Sequence, residues 1–485
     1  MPPTSRTNNN IFSIELVNPS VPSFPGSVIR GNIVRKGPLN AASATVHARL
    51  HGRTKAKLVV NRGQSKSTYR SRFGFWGVVT DDVSDTAHQG AINIGAKESQ
   101  SWPFSLKIPT NVGEKSVNWS LTDKEKRDCF IKAPPPTAGG ATELPGQPVP
   151  GTFHYANSGF GQKWHGYVEF WVEATITVEG TKGSGGRTFE ATLPIRVNPR
   201  PAPWPPISDF ELTPRKFPGC VSSHRLVPGM EQAGLSFKQK TRKFFGSSKV
   251  PSLNYTVQLI CPAAIQLGNP SIIPITLSAV PNREKTSPVI ADVPQVMTIE
   301  STSMEIETTA SIVCSGTFDT HSGSKSWKVP LAKTSRNLNS DEGDLTLTCG
   351  PEGEPLDLGA VFGVRLDVLG RVINAHTGNF ANPGGGAKVM PSYLTYCIKV
   401  EHVLLCELKF LVGGESWALS GRQQIRVLPQ SLGIAFSENG EVALEGGNSS
   451  AENALAFLAT GTDIASSSLD VAGSVFDLIE ILGSF

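Results

Sequence analysis

The sequence predicts an all-β chain, two antiparallel β-sandwiches in succession followed by a short, partly helical or disordered tail, and three observations carry that prediction. Residues 167–178 alternate without a slip: Val168, Phe170, Val172, Ala174, Ile176 and Val178 take one side, and Tyr167, Glu169, Trp171, Glu173, Thr175 and Thr177 the other. Side chains on a strand point to opposite faces with period two, so this segment reads as a strand with one face in a core and one toward water. The chain holds 48 Gly and 36 Pro at 39% hydrophobic residues, a composition that suits many short strands joined by turns. Its 485 residues exceed what one hydrophobic core ordinarily serves, which predicts two domains.

The elements follow in order. Ile11–Val17 opens as a strand with Phe12, Ile14 and Leu16 inward and stops at Asn18-Pro19. Pro25-Gly26 turns the chain into a second strand, Ser27–Val34, and Ala44–Leu50 reads as a third that ends in a turn at His51-Gly52. Pro brackets Trp102–Pro109, which places that strand at a sheet edge. Residues 131–163, rich in Pro and Gly, read as a long polar loop. The strand at Tyr167 follows, with Gly180–Arg187 as a hairpin tip and Thr188–Val197 as its returning partner. Asn198–Pro206 contains five Pro, a stiff connection short of ladder donors and the expected hinge between domains.

The second half repeats this grammar. Asn254–Cys261 places Tyr255, Val257 and Leu259 on one face, and Ile272–Leu277, Val296–Ile299 and Met304–Thr308 continue the series. Between Thr395 and Val412 the even positions are Tyr396, Ile398, Val400, His402, Leu404, Cys406, Leu408, Phe410 and Val412, and the odd ones carry Lys399, Glu401, Glu407 and Lys409. That is one long strand or a hairpin, with Gly413-Gly414 as the next turn and Trp417–Leu428 as the closing strand. His402 on the apolar face reads as a hydrogen-bonded core residue or a kink rather than a ligand. In the tail, Ala454–Leu458 and Leu469–Leu482 have helix-compatible composition. The expected domains are therefore residues 11–200 and 207–430, with 431–485 as an acidic tail.

Charge divides along the chain. No Lys or Arg follows Arg426, whereas eight acids do, so the net +4 separates into −8 on the tail and +12 on the body. A basic body predicts anionic partners. Seven scattered Cys, none in a C-x-x-C pair, and an N-terminus without an apolar stretch predict a reducing, cytoplasmic setting. In that setting the sequons at Asn118, Asn254 and Asn448 are chance matches. H-E-x-x-H, G-x-S-x-G, a Walker A loop and a helix-opening G-x-G-x-x-G are all absent, and Asp81-Asp82 and Asp341-Glu342 read as loop acids. The expectation is therefore no enzyme, no cofactor, no small-molecule substrate and no nucleic acid.

Taken in order, several segments resemble the arrestin family, in particular its fungal α-arrestin-like branch. They are Phe12–Val17, Pro25-Gly26, Ile29–Ile33, Phe104–Pro109 and Phe170–Ala174 in the first half. In the second they are Ser247–Pro251, Asn254–Cys261, Pro262–Pro270, Met390–Tyr396 and Gln424–Pro429. No single motif is specific; the ordered set spans about residues 11–430. The resemblance implies two immunoglobulin-like sandwiches joined by a hinge. It also implies a cytoplasmic adaptor, peripheral at the plasma membrane or endosomes, that binds transporter or receptor tails and supports endocytosis with clathrin machinery or a ubiquitin ligase. The chain lacks the Pro-Pro-x-Tyr motif by which such adaptors recruit ligases, since Pro135-Pro136-Thr137-Ala138 and Pro205-Pro206-Ile207-Ser208 both end without Tyr. A retromer-like or vesicle-coat scaffold with no ubiquitination role is the alternative.

Two basic segments are the candidate sites. Residues 47–72 carry Arg49, Arg53, Lys55, Lys57 and Arg62, then Lys66, Arg70 and Arg72, with no acid among them. Such a block suits the phosphate or carboxylate groups of a cargo tail through charge-assisted bonds; its plain reading is a solvated loop. Lys238, Lys240, Arg242, Lys243, Phe244 and Phe245 combine cations with two adjacent aromatics. That pattern suits an anionic membrane or acidic partner; its plain readings are a strand approach with a core Phe pair and a nuclear address. Asp477–Leu482 comes near a clathrin box and an acidic dileucine without matching either, and reads as a short amphipathic helix.

Overall fold

The computed structural model describes residues 4–77, 81–119, 121–132, 143–159, 161–180, 186–231, 250–335, 345–350, 354–381, 387–432, 434–436 and 442–444. The first half contains β1 (Phe12–Leu16), β2 (Val28–Lys36), β3 (Leu39–Arg62), β4 (Ser65–Gly74), β5 (Ser84–Ile94), β6 (Ser99–Lys107), β7 (Phe153–Gly159), β8 (Gln162–Val178) and β9 (Arg187–Ile195). Short helices α1 (Glu114–Asn118) and α2 (Asp123–Arg127) lie between β6 and β7, and a Thr122/Glu125 capping box starts α2. One sheet has the order β1-β2-β6. The other runs β4-β3-β8-β7, with β5 on β3 and β9 on β8. Phe12, Ile14, Ile33, Trp102 and Phe104 from the first sheet meet Val46, Leu50, Leu58, Phe170 and Val172 from the second in one core. The chain is nearly all β, an antiparallel sandwich architecture as the alternation predicts.

The second half contains β10 (Leu212–Ser222), β11 (Ser252–Pro262), β12 (Ala264–Gln266), β13 (Thr276–Pro281), β14 (Gln295–Ser315), β15 (Thr320–Ser335), β16 (Thr346–Cys349) and β17 (Leu356–Asp357). It continues through β18 (Val364–Leu366), β19 (Val372–Asn374), β20 (Tyr393–Leu394), β21 (Ile398–Val412) and β22 (Glu415–Leu428). These strands surround a second core built on Tyr255, Val257, Leu277, Ile306, Leu408 and Phe410. Of Thr395–Val412, Ile398–Val412 forms one strand while Thr395–Cys397 make the bend from β20 into it, and Gly413 and Gly414 turn it into β22 with φ of 54° and 78°, backbone that side chains rarely adopt. After β22 the backbone forms a small hairpin, β23 (Ile434–Phe436) with β24 (Val442–Leu444). The helices expected at 454–458 and 469–482 lie outside the described residues.

Two loop expectations are corrected. His51-Gly52 is not a turn: β3 runs through it for 24 residues, paired with β5 over its first part and β4 over its second, while β8 follows both. Gly52 stands there because the rings of Trp76 and Phe170 would lie 2.7 and 2.8 Å from a Cβ. Residues 153–159 and 162–163 are not loop either. They form β7 and the start of β8, and Phe153 and Tyr155 stack on Tyr393 and Trp327 of the second half.

The halves meet through β14 and β21, which pass from one core into the other. Ala310, Ile312, Ile398 and Val400 pack in the first core, and Met304, Ile306, Leu404 and Cys406 in the second. The connection 198–206 is tied at its start by Asn198 N–H to Ser23 O at 2.8 Å and at its middle by Ala202 N–H to Gln430 O at 3.1 Å.

Where β14 and β21 change cores, Thr308 and His402 pair across the ladder, with Thr308 Oγ1 3.0 Å from His402 Nδ1 and both side chains buried. Of the two sequence readings this is the hydrogen-bonded core residue. Burial pushes its imidazole down to about 4. An unfolded His titrates near 6.5, so as pH falls below that value the unfolded chain takes up a proton that the folded chain refuses, and stability is lost toward pH 4. By pH 5 the loss from this residue is expected to reach about 2 kcal/mol, absent from a His402→Gln variant. Urea unfolding of the two proteins from pH 7 to 5 checks it: parallel pH slopes would assign the loss elsewhere.

Candidate functional site

Arg49, Arg53, Lys55 and Lys57 of β3 lie on its outward face because they occupy odd positions, while Val46, Ala48, Leu50, Ala56 and Leu58 fill the core from the even ones. The register fixes what each faces. Arg53 lies opposite Glu169 of β8, Lys55 opposite Tyr167 and Lys57 opposite His165. On the other side Lys55 faces Arg72 of β4, and Lys57 faces Arg70. Residues paired directly across a sheet are within reach of one another, so three strands gather Arg53, Lys55 and Arg72 around Glu169, with Lys57 and Arg70 the next cation pair along the same face.

Glu169 is the centre of this cluster. Its Oε1 accepts from Arg53 Nε and stands 3.9 Å from Lys55 Nζ. The Arg53 guanidinium also lies 4.6 Å over the Trp171 ring, which in turn stacks on His51 at 4.9 Å. Burial, with Arg53 and Arg72 adding repulsion and Glu169 opposing them, pushes the Lys55 ammonium down to about 8. Burial also lowers Arg72, again with Arg53 adding to the shift. Tyr167 is pushed up to about 12 by burial and by the Glu169 charge. His165 falls to about 4 through burial and the nearby Lys57. Burial is the first cause of each of these shifts, and Arg53 adds to the lowering of both Lys55 and Arg72.

Of the five predicted residues of the first segment, Arg53, Lys55 and Lys57 come together. Arg49 stands further along β3, with Nε 3.1 Å from Asp82 Oδ1, and Arg62 is exposed at the end of β3. The solvated-loop reading of this segment fails because it is the hairpin of β3 and β4. Lys238, Lys240, Arg242, Lys243, Phe244 and Phe245 lie outside the described residues. Sequence reasoning missed Glu169, Tyr167, Trp171 and His165 as members of the site. The two-residue spacing of Arg53, Lys55 and Lys57 was the available signal for a shared face; nothing local told which strand would lie beside it. Tyr167 and Trp171, read as facing water, are 3% and 9% exposed. Flanking strands bury them, so both faces of β8 are covered here.

Nothing else described offers competing chemistry. A groove of about 500 Å³ is lined by Ala263, Tyr393, Leu394, Val400 and Ile425, but its charged residues are already paired, Lys399 with Glu401 and Arg426 with Glu211. Among the described residues no three His, Cys, Asp or Glu stand close enough to hold a metal ion, and no helix is long and apolar enough to cross a membrane. In comparison with known proteins, no family model and no curated sequence matches the chain.

Proposed function

We propose that the chain is an arrestin-like adaptor, non-enzymatic and cytoplasmic, whose first sandwich receives an acidic or phosphorylated segment of a membrane transporter or receptor. One observation supports the reading: Arg53, Lys55, Lys57, Arg70 and Arg72 stand in register on one sheet face, with Glu169 beside Arg53 and Lys55 as the carboxylate among them. The sheet holds their backbone at fixed spacing, so an anionic strand or tail has no backbone of this face to order and only side-chain rotamers to fix. Arg53 presents a guanidinium able to bind carboxylate or phosphate through two parallel bonds.

Fluorescence anisotropy with a labelled peptide of alternating Glu and phosphothreonine tests the reading. Charge reversal at Lys57 and Arg70 together is expected to weaken binding by at least about tenfold, and raising salt to weaken the wild type. Wild-type affinity matched by the reversed variant would sink the proposal.

A further inference from the structure

The centre of the cationic face is not open in the protein as it folds. The side chains of Arg53 and Glu169 are 14% and 12% exposed, and the chain's own N-terminal segment lies against both. Thr4 N–H donates to Glu169 Oε2 at 2.6 Å, and Arg53 Nη2 donates to Thr4 Oγ1 at 3.0 Å. The segment then follows β9. Thr7 N–H donates to Thr192 O at 3.1 Å, Thr192 N–H to Thr7 Oγ1 at 2.8 Å, and Thr192 Oγ1 to Ser5 O at 2.8 Å.

Two features distinguish this segment from a structural strand. None of residues 4–9 belongs to either hydrophobic core, so the segment is held by hydrogen bonds, exposed along β9 and part-buried at Thr4 and Asn8, rather than by apolar packing. It also covers the cations without neutralising them: Thr4, Ser5, Arg6, Thr7, Asn8 and Asn9 include no acid and add one cation. An acidic segment in its place would give Arg53 a charged acceptor instead of a hydroxyl, and charge-assisted bonds are roughly twice as strong as neutral ones.

We propose that residues 4–8 form a displaceable strap over the cationic face, lying on Arg53 and Glu169 in the unbound protein and yielding to an acidic partner segment. The proposal deepens the docking reading and rests on it. The strap sets a threshold: apparent affinity is reduced by the fraction of time it lies down, and a partner too weakly charged does not displace it.

The test uses the full chain and the same Glu/phosphothreonine peptide. Thr7→Val combined with Thr192→Val removes the side-chain anchors that tie the strap to β9 and leaves every cation in place. This variant is expected to bind roughly five- to tenfold tighter than the wild type. In the wild type, saturating peptide is expected to accelerate tryptic cleavage after Arg6, as the lifted strap becomes accessible. Equal affinities, or an Arg6 cleavage rate that peptide leaves unchanged, overturn the strap while the docking reading stands. Absence of binding to either protein overturns the docking reading and the strap with it.

Discussion

Replacing Glu169 with alanine is expected to lower the unfolding free energy by roughly 3 kcal/mol while tightening the binding of an acidic peptide. The two effects have one cause. Glu169 is the carboxylate that Arg53 bonds and that Lys55 approaches, and the three side chains are 9–14% exposed. Removing one partner of a nearly buried pair leaves the other's charge without compensation, which costs far more than losing a surface ion pair. Lys55 is already pushed down to about 8 by burial and by Arg53 and Arg72, with the Glu169 charge pulling it back. The same deletion leaves more positive charge for a ligand. Urea unfolding and peptide anisotropy on one preparation check both signs, and added salt is expected to restore part of the lost stability by screening the cations. Undiminished stability in the alanine variant would mean that Glu169 does not hold this face together.

A second large effect is expected at the waist. Gly166 of β8 lies where a Cβ would come within 2.8 Å of Ile312 Cγ2 and 3.1 Å of Ile398 Cγ1, on the strands that enter the first core from the second half. Gly166→Val should therefore destabilise the protein by roughly 3 kcal/mol, because backbone and two β-branched side chains must move apart in close-packed surroundings. Gly323 is a matched site, since a Cβ there would meet the Trp164 ring at 2.6 Å. Loss of stability on chemical denaturation, with shared unfolding of both halves, is the expected result. A Gly166→Val protein as stable as the wild type would show that the waist is loose rather than packed.

These two positions mark the boundary of what local sequence information reaches. The alternation over 167–178 identifies β8, and the even-position apolar series over 396–412 identifies β21, because period two is a property of neighbouring residues. The Gly413-Gly414 turn is legible for the same reason. Gly52 is not: the residue type signals a turn, and only the rings of Trp76 and Phe170, brought in from other strands, explain a glycine in mid-strand. Phe153 and Tyr155 were hidden in a Gly- and Pro-rich stretch because their stacking partners, Tyr393 and Trp327, lie in the other half of the chain.

The site divides in the same way. The spacing of Arg53, Lys55 and Lys57 places them on one face of a strand, and the absence of acids between residues 47 and 72 makes that face basic. That Glu169 meets Arg53, that Arg72 meets Lys55 and that Thr4 covers the pair follow from register and from the path of the N-terminus. On its own the sequence determined that this protein is a β-sandwich chain with a cationic segment, since hydrophobic period, turn residues and charge are read over a few neighbouring positions. The tertiary structure alone decided which charges share a surface, which one opposes them and what lies over them, because strand pairing joins residues more than a hundred positions apart and no local pattern encodes that partner choice.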